Sequence, residues 1–248
     1  MSHLMLKKVS KSFGANEVMD GMNFSIKKDE FVSIIGPSGS GKSTIFNLIG
    51  GMLAPDHGQI MLENKVINGM RGLISYMPQT PSLLPWRTIL DNVVLGQELQ
   101  GKKEIGKAKE MLEIAGLADY EKAYPHELSG GMKQRAAFIR ALLSPQAVIC
   151  LDEPFSALDE LTRFEMQKWL LSVWESNKRT VLFITHNIEE ALYLSDRILV
   201  LSQKPSKVIS EIEVPFSRPR DASILLEEPF LQWKRKVHFT LTGQGGLR

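Results

Sequence analysis

The chain has 248 residues, enough to bury one core of α/β size with room for an inserted subdomain. Hydrophobic residues make up 43% and charged residues 23%, and a formal net charge of +2 gives no argument from charge alone for a polyanionic partner. One cysteine, Cys150, excludes an internal disulfide, the N-terminus lacks a secretory core, and no run reaches the ~18 apolar residues of a membrane span.

Residues 4–13 and 22–28 alternate loosely on either side of "GANEVMDG", which predicts two half-buried strands paired as a hairpin. "FVSIIG" (31–36) is a continuous apolar run closed by glycine, the pattern of a buried parallel strand. A glycine-rich turn leads into a predicted helix over 43–52, with Ile45, Leu48, Ile49 and Met52 on its apolar face. Strands are predicted in "QIMLENKVI" and "LISYMPQ".

From Pro81 the periodicity turns helical. Residues 88–100, 103–117 and 132–143 read as amphipathic helices, the second with Ala108, Met111, Leu112 and Ala115 on one face. Strands return at 147–151, where Cys150 reads as a small buried hydrophobe, and at 180–186 and 197–202. "KVISEIEV" suggests an edge strand and 224–241 a terminal helix. This is βα alternation interrupted by an all-helical insert.

The chemistry begins at "GPSGSGKST" (36–44), which fits G-x-x-x-x-G-K-[ST] in the context that motif requires, after a buried strand and before a helix. Gly36, Gly39 and Gly41 allow a backbone that turns successive N–H groups inward around phosphate oxygens, with Pro37, Ser38, Ser40 and Thr44 completing the binding loop. The helix start adds unpaired N–H groups. Lys42 is expected to reach the β- and γ-phosphates and Ser43 to offer its hydroxyl to Mg²⁺. A flexible Gly/Ser loop is the duller alternative, and the flanking elements argue against it.

A second strand, "AVICLDEP" (147–154), ends in two adjacent acids. Two repelling carboxylates make sense if Asp152 faces a Mg²⁺ ion while Glu153 points elsewhere and polarises an attacking water. "ELSGGMKQR" (127–135) then places Ser129, Gly130 and Gly131 immediately before a helix, a second anion-sized N-terminus. Two cradles for one triphosphate suggest that each comes from a different copy of the chain.

With these motifs in order, the sequence resembles the ATP-binding cassette (ABC) ATPase subunits over nearly its whole length. The family's Walker A loop matches 36–44, its Q-loop glutamine Gln79, and its signature 128–132. Walker B matches 148–153, the D-loop 156–159, and the switch histidine His186. The resemblance implies a P-loop NTPase core with a mixed sheet, an N-terminal antiparallel β subdomain and an inserted all-helical subdomain. Within one domain over 1–248, segments 1–80 and 146–215 form the nucleotide-binding core. Residues 81–145 form the helical subdomain, and 216–248 a C-terminal tail.

The resemblance also implies ATP and Mg²⁺ as cofactors and assigns roles. Gln79 would touch Mg²⁺ or the lytic water, and His186 would bond the γ-phosphate and Glu153. Asp159 would contact the opposite subunit, although it also suits a helix N-cap. Phe13 stands where the family places an adenine-stacking aromatic, although half-buried strands often carry Phe in the core. With Lys42, Asp152, Glu153 and His186 all present, an active ATPase is expected.

For a motor without a membrane span, the resemblance implies separate permease subunits, a location on the cytoplasmic face of the cell membrane, and an external solute-binding protein acting indirectly. Leu83, Leu84, Pro85 and Trp86 follow Gln79 directly and read as a groove for a permease helix. The alternative is that Trp86 packs into the helical block. "SLLPW" and "LSGGMKQR" resemble the nitrate, sulfonate and taurine importers, a branch that includes carriers of thiamine- or pyrimidine-like precursors. An exporter ATPase is a rival reading. A soluble ABC ATPase acting on DNA or ribosomes is a second. The roughly 85 residues between Lys42 and Ser129 leave no room for the long coiled coil of the DNA-acting types, and the ribosome-acting types carry two cassettes where this sequence has one.

Overall fold

The computed structural model of the chain describes residues 2–243. Its centre is β3 (Phe31–Ile35), five consecutive buried residues. Because successive side chains of a strand point to opposite faces, Phe31 and Ile35 enter one apolar cluster while Val32 and Ile34 enter another. A strand buried on both faces is therefore a continuous apolar run rather than an alternating one.

Parallel to β3 lie β8 (Thr180–Ile184) and β9 (Arg197–Leu201); β7 (Val148–Asp152) and β6 (Ser75–Met77) extend the sheet beyond β8. The antiparallel edge strand β10 (Val208–Glu213) completes the order β10-β9-β3-β8-β7-β6. A second, antiparallel sheet has the order β2-β1-β4-β5, from β1 (Ser2–Phe13), β2 (Asn16–Lys27), β4 (His57–Leu62) and β5 (Lys65–Val66). The expected turn "GANEVMDG" is mostly strand: only Gly14 and Ala15 separate β1 from β2. The hairpin closes on Gly14 at φ +58°, and Val18 and Met19 are core residues.

Helix α1 (Lys42–Ile49) lies between the sheets with Ile45, Phe46, Leu48 and Ile49 buried. It stops sooner than predicted. Gly51 adopts φ +70°, and a side chain there would stand 2.1 Å from the Met70 carbonyl oxygen. Met52 therefore falls outside the helix and is exposed rather than part of its apolar face.

The other cluster is covered by α2 (Ile89–Val93), α3 (Leu95–Glu98), α4 (Ile105–Ile114), α5 (Gly130–Leu143), α6 (Glu160–Ser176), α7 (Ile188–Leu194) and α8 (Glu228–Thr242). The helix expected over 88–100 is two short ones, broken where Val94 leaves helical geometry at ψ 0°. Ala108, Met111, Leu112 and Ala115 are buried together, as their spacing predicts. Cys150 is fully buried and free.

The terminal helix expected over 224–241 is α8, and it packs back on the sheet domain through Phe230 and Val237, both fully buried. Arg220, also buried, donates from Nη1 to the carbonyls of Leu192, Tyr193 and Ser195, closing the end of α7. This satisfies the orphan carbonyls of a helix end with a charged donor.

Candidate nucleotide site

The C-terminal ends of four parallel strands converge on one cavity of about 540 Å³. It is lined by the loop following β3, by Gln79 beyond β6, Glu153 beyond β7 and His186 beyond β8. Ligands of open α/β sheets bind at this edge, where loops from adjacent strands diverge.

The loop's shape depends on two glycines. Gly39 and Gly41 hold φ +75° and +87°, in the left-handed region that only glycine adopts without strain. At Gly41 a Cβ would also lie 2.6 Å from Val18 Cγ1. Gly36 differs from the expectation, since its φ is not positive. It is needed for space, because a Cβ there would stand 3.0 Å from that of Leu201. Lys42 donates from Nζ to the carbonyls of Gly36 and Pro37, both at 2.9 Å, so its ammonium lies across the mouth of the loop. Burial pulls its pKa below the ordinary lysine value, against the charges of Glu153 and Asp152.

The adjacent acids are not a repelling pair on one face. Asp152 ends β7 in extended geometry and is 3% exposed, whereas Glu153 turns to φ +48°. This positive φ in a non-glycine residue sits directly before Pro154 and marks stored backbone strain. The Glu153 N–H donates to the Ile184 carbonyl at 3.0 Å, which holds the turn. Its carboxylate Oε2 accepts from Gln79 Nε2 at 3.1 Å and lies 3.4 Å from His186 Nδ1. His186 is itself 70% exposed, presented between β8 and the Asn187 cap of α7.

Burial raises the Asp152 carboxyl above the usual carboxylate range, opposed first by the Ser43 hydroxyl; the Glu153 charge adds to the rise. A buried carboxylate whose charged form is disfavoured is one a cation would relieve. Ser43, Asp152 and Gln79 offer hydroxyl, carboxylate and amide oxygens, the hard donors Mg²⁺ takes. Among the described residues no group of three or more His, Cys, Asp or Glu side chains could form a metal cage.

Other expected site residues stand away from the cavity. Phe13 is 47% exposed and does not line it, so the buried-core alternative fails; Lys11 Nζ stands over its ring, 5.5 Å from the centroid. Ser129 caps α5, its hydroxyl accepting from the Met132 N–H at 3.3 Å, and Gly130 beside it is exposed. Gly131 packs toward Leu158 and Ala157 of the segment before Asp159. Asp159 caps α6, accepting from the Thr162 N–H at 3.0 Å, and that bond lowers its pKa.

Three residues of the site carried no sequence signal. The Tyr76 phenol interacts with Asp152, and Lys204 lines the cavity. Gln134, on α5, donates to the backbone carbonyls of Gln79 and Glu153 at 3.4 and 3.5 Å. Tyr76 meets Asp152, and Gln134 meets Gln79 and Glu153, partners distant in the chain that spacing along the sequence does not reveal.

A Gly-rich cradle at the end of β3, with acids at the end of β7 on the far side of β8, defines a P-loop nucleotide-binding protein. More narrowly, the chain belongs to the ABC transporter family, whose model matches residues 19–156. It is 41% identical to the aliphatic sulfonates import ATP-binding protein SsuB of Bacillus thuringiensis subsp. konkukian, over 93% of this chain and 91% of that one. To the formylaminopyrimidine import ATP-binding protein ThiZ of Halalkalibacterium halodurans it is 45% identical, over 86% of this chain and 84% of the other. Among solved structures, the dimeric post-hydrolysis ATP-binding cassette MJ0796 bound to ADP and Pi superposes with TM-score 0.75. That match has 32% identity and covers 86% of this chain and all of the other. The chain is thus an ABC-type ATPase with the expected α/β fold, mixed sheet and antiparallel β subdomain.

Proposed function

We propose that the chain is the ATP-hydrolysing subunit of an importer, driving uptake of a small solute through separate permease subunits. The observation that carries this is the convergence of Lys42, Ser43, Gln79, Glu153 and His186 on one cavity while the Ser129–Gly131 helix start faces elsewhere. A catalytic half-site and an outward anion site on one molecule suit two copies arranged head to tail, each supplying what the other lacks. The MJ0796 cassette is described as a dimer, which supports the same arrangement here.

Within each half-site the loop N–H groups and Lys42 bind and orient the phosphates. Glu153, held by Gln79 and near His186, takes a proton from the attacking water as the bond to the γ-phosphorus forms and that to the β–γ bridging oxygen breaks. His186 contacts the γ-phosphate and keeps Glu153 in place. Phe13 stacks on the adenine, and Asp159 meets the second copy. Ser43, Asp152 and Gln79 would hold Mg²⁺, which when bound neutralises charge on the phosphates.

Among the described residues no helix is long and apolar enough to cross a membrane. The exposed loop after Gln79 supplies a contact for one that does. Trp86 is 71% exposed, so it does not pack into the helical block. The loop beneath it is rigid: buried Asn92 donates to the carbonyls of Leu84, Arg87 and Thr88 and accepts from the Leu84 N–H. A rigidly presented tryptophan is a typical interface anchor. We place the permease contact here, next to the glutamine that reads the nucleotide, with the chain peripheral on the inner membrane face. The sulfonate and formylaminopyrimidine names of its relatives support import of a small polar or heteroaromatic solute. The test is co-purification of the tagged chain from detergent-solubilised membranes. Recovery of integral membrane proteins is expected; recovery of ribosomes or DNA alone would overturn the transport reading.

A further inference from the structure

Lys204 lines the nucleotide cavity yet belongs to none of the motifs above. It stands on the short connection between β9 and β10, which is pinned at both ends. The Ser202 N–H donates to the Lys207 carbonyl and the Lys207 N–H to Ser202 Oγ, each at 3.0 Å. The Ser206 N–H donates to the Val18 carbonyl on β2 at 2.9 Å. This connection brackets the phosphate loop. Leu201 Cβ lies 3.0 Å from where a Gly36 side chain would start, and Ser206 Oγ 3.7 Å from the equivalent point on Gly41. Lys204 is therefore carried by a fixed hairpin against the cradle, not by a free arm.

The charges point the same way. Lys207, three residues on, is paired with Asp20 at 2.8 Å, whereas Lys204 has no acidic partner within ion-pair distance among the described residues. The cavity already holds the Glu153 carboxylate. A nucleoside triphosphate brings more negative charge than Lys42 and one divalent cation together offset. A second ammonium at the cavity wall completes the balance, and charge-assisted bonds to phosphate oxygens are among the stronger polar contacts.

We infer that Lys204 is a second phosphate-binding cation of this site, contacting the phosphate chain of the bound nucleotide and favouring the triphosphate over nucleotides with fewer phosphates. This rests on the ATPase reading above. The test is equilibrium binding of ATP and AMP to the full-length E153Q chain with Mg²⁺, comparing it with the same chain carrying in addition K204A, K204R, K204E or K42A. Circular dichroism melts of each variant confirm folding. K204A is expected to weaken ATP binding roughly three- to tenfold, the range of one partly exposed ion pair, with less effect on AMP. K204R should restore affinity, K204E should lower it further, and added salt should narrow the differences. If K42A loses ATP while K204A binds it like the parent, or loses ATP and AMP equally, the inference fails and the ATPase reading stands. If the parent chain binds no ATP, both fall.

Discussion

The side-chain amide of Gln79 donates to Glu153 Oε2 over 3.1 Å, although 74 residues separate them in the chain. Gln79 leaves the edge strand β6 just where the helical segment begins, and Glu153 leaves the neighbouring β7. A movement of the helical segment would thus be felt at the carboxylate proposed to take the water's proton, and the reverse. This contact is where docking and hydrolysis would be coupled.

Replacing Glu153 with Gln removes the proposed base and keeps the side chain's shape. Phosphate release should fall by about 10²–10⁴-fold, the usual contribution of a general base, while ATP binding is retained. Turnover near the parent rate would remove Glu153 from this role.

Trp86→Ala should leave ATP hydrolysis by the isolated chain and its melting temperature close to those of the parent, since the ring is exposed. Co-purification with the membrane subunits should fall steeply, by about 2 kcal/mol if Trp86 is an interface hot spot. Unchanged recovery would move the docking surface elsewhere.

Gly41→Ala places a side chain at φ +87° and 2.6 Å from Val18 Cγ1. A loss of about 1–3 kcal/mol in urea denaturation is expected from the strained conformation, together with loss of ATP binding. Full stability would mean that the loop relaxes without cost.

Asp152 has its carboxyl pKa raised in the fold, chiefly by burial. Between its unfolded and folded pKa values the native state holds more protons than the unfolded one, so stability falls as pH rises through that window. At neutral pH the charged group is a net burden, and Asp152→Asn should melt at a higher temperature than the parent in EDTA, by calorimetry. Mg·ATP should raise the melting temperature of the parent more than that of the variant. A variant that melts lower in EDTA would show that the carboxylate is already well compensated without metal.

The motifs were legible because each fixes a local backbone that few sequences satisfy. Gly39 and Gly41, the run into Asp152, and Ser129 before a helix all announce their conformation in their residue types. The positive φ of Glu153 was not legible, because it is imposed by the Ile184 carbonyl across the sheet. Nor was the early end of α1, where Gly51 meets the Met70 backbone. The pinning of the loop that carries Trp86 by Asn92, the capping of α7 by Arg220 and the approach of Lys204 depend on partners brought together only by folding.

The central claim is that each nucleotide is clamped between the Lys42 loop of one molecule and the Ser129 helix start of another. Analytical ultracentrifugation of the E153Q chain tests it directly, with Mg·ATP, with Mg·ADP, and with Ser129→Arg added. Twice the monomer mass is expected with Mg·ATP alone, and the single mass with Mg·ADP or with the arginine in place. A single mass with saturating Mg·ATP, or a dimer indifferent to Ser129→Arg, would contradict the account.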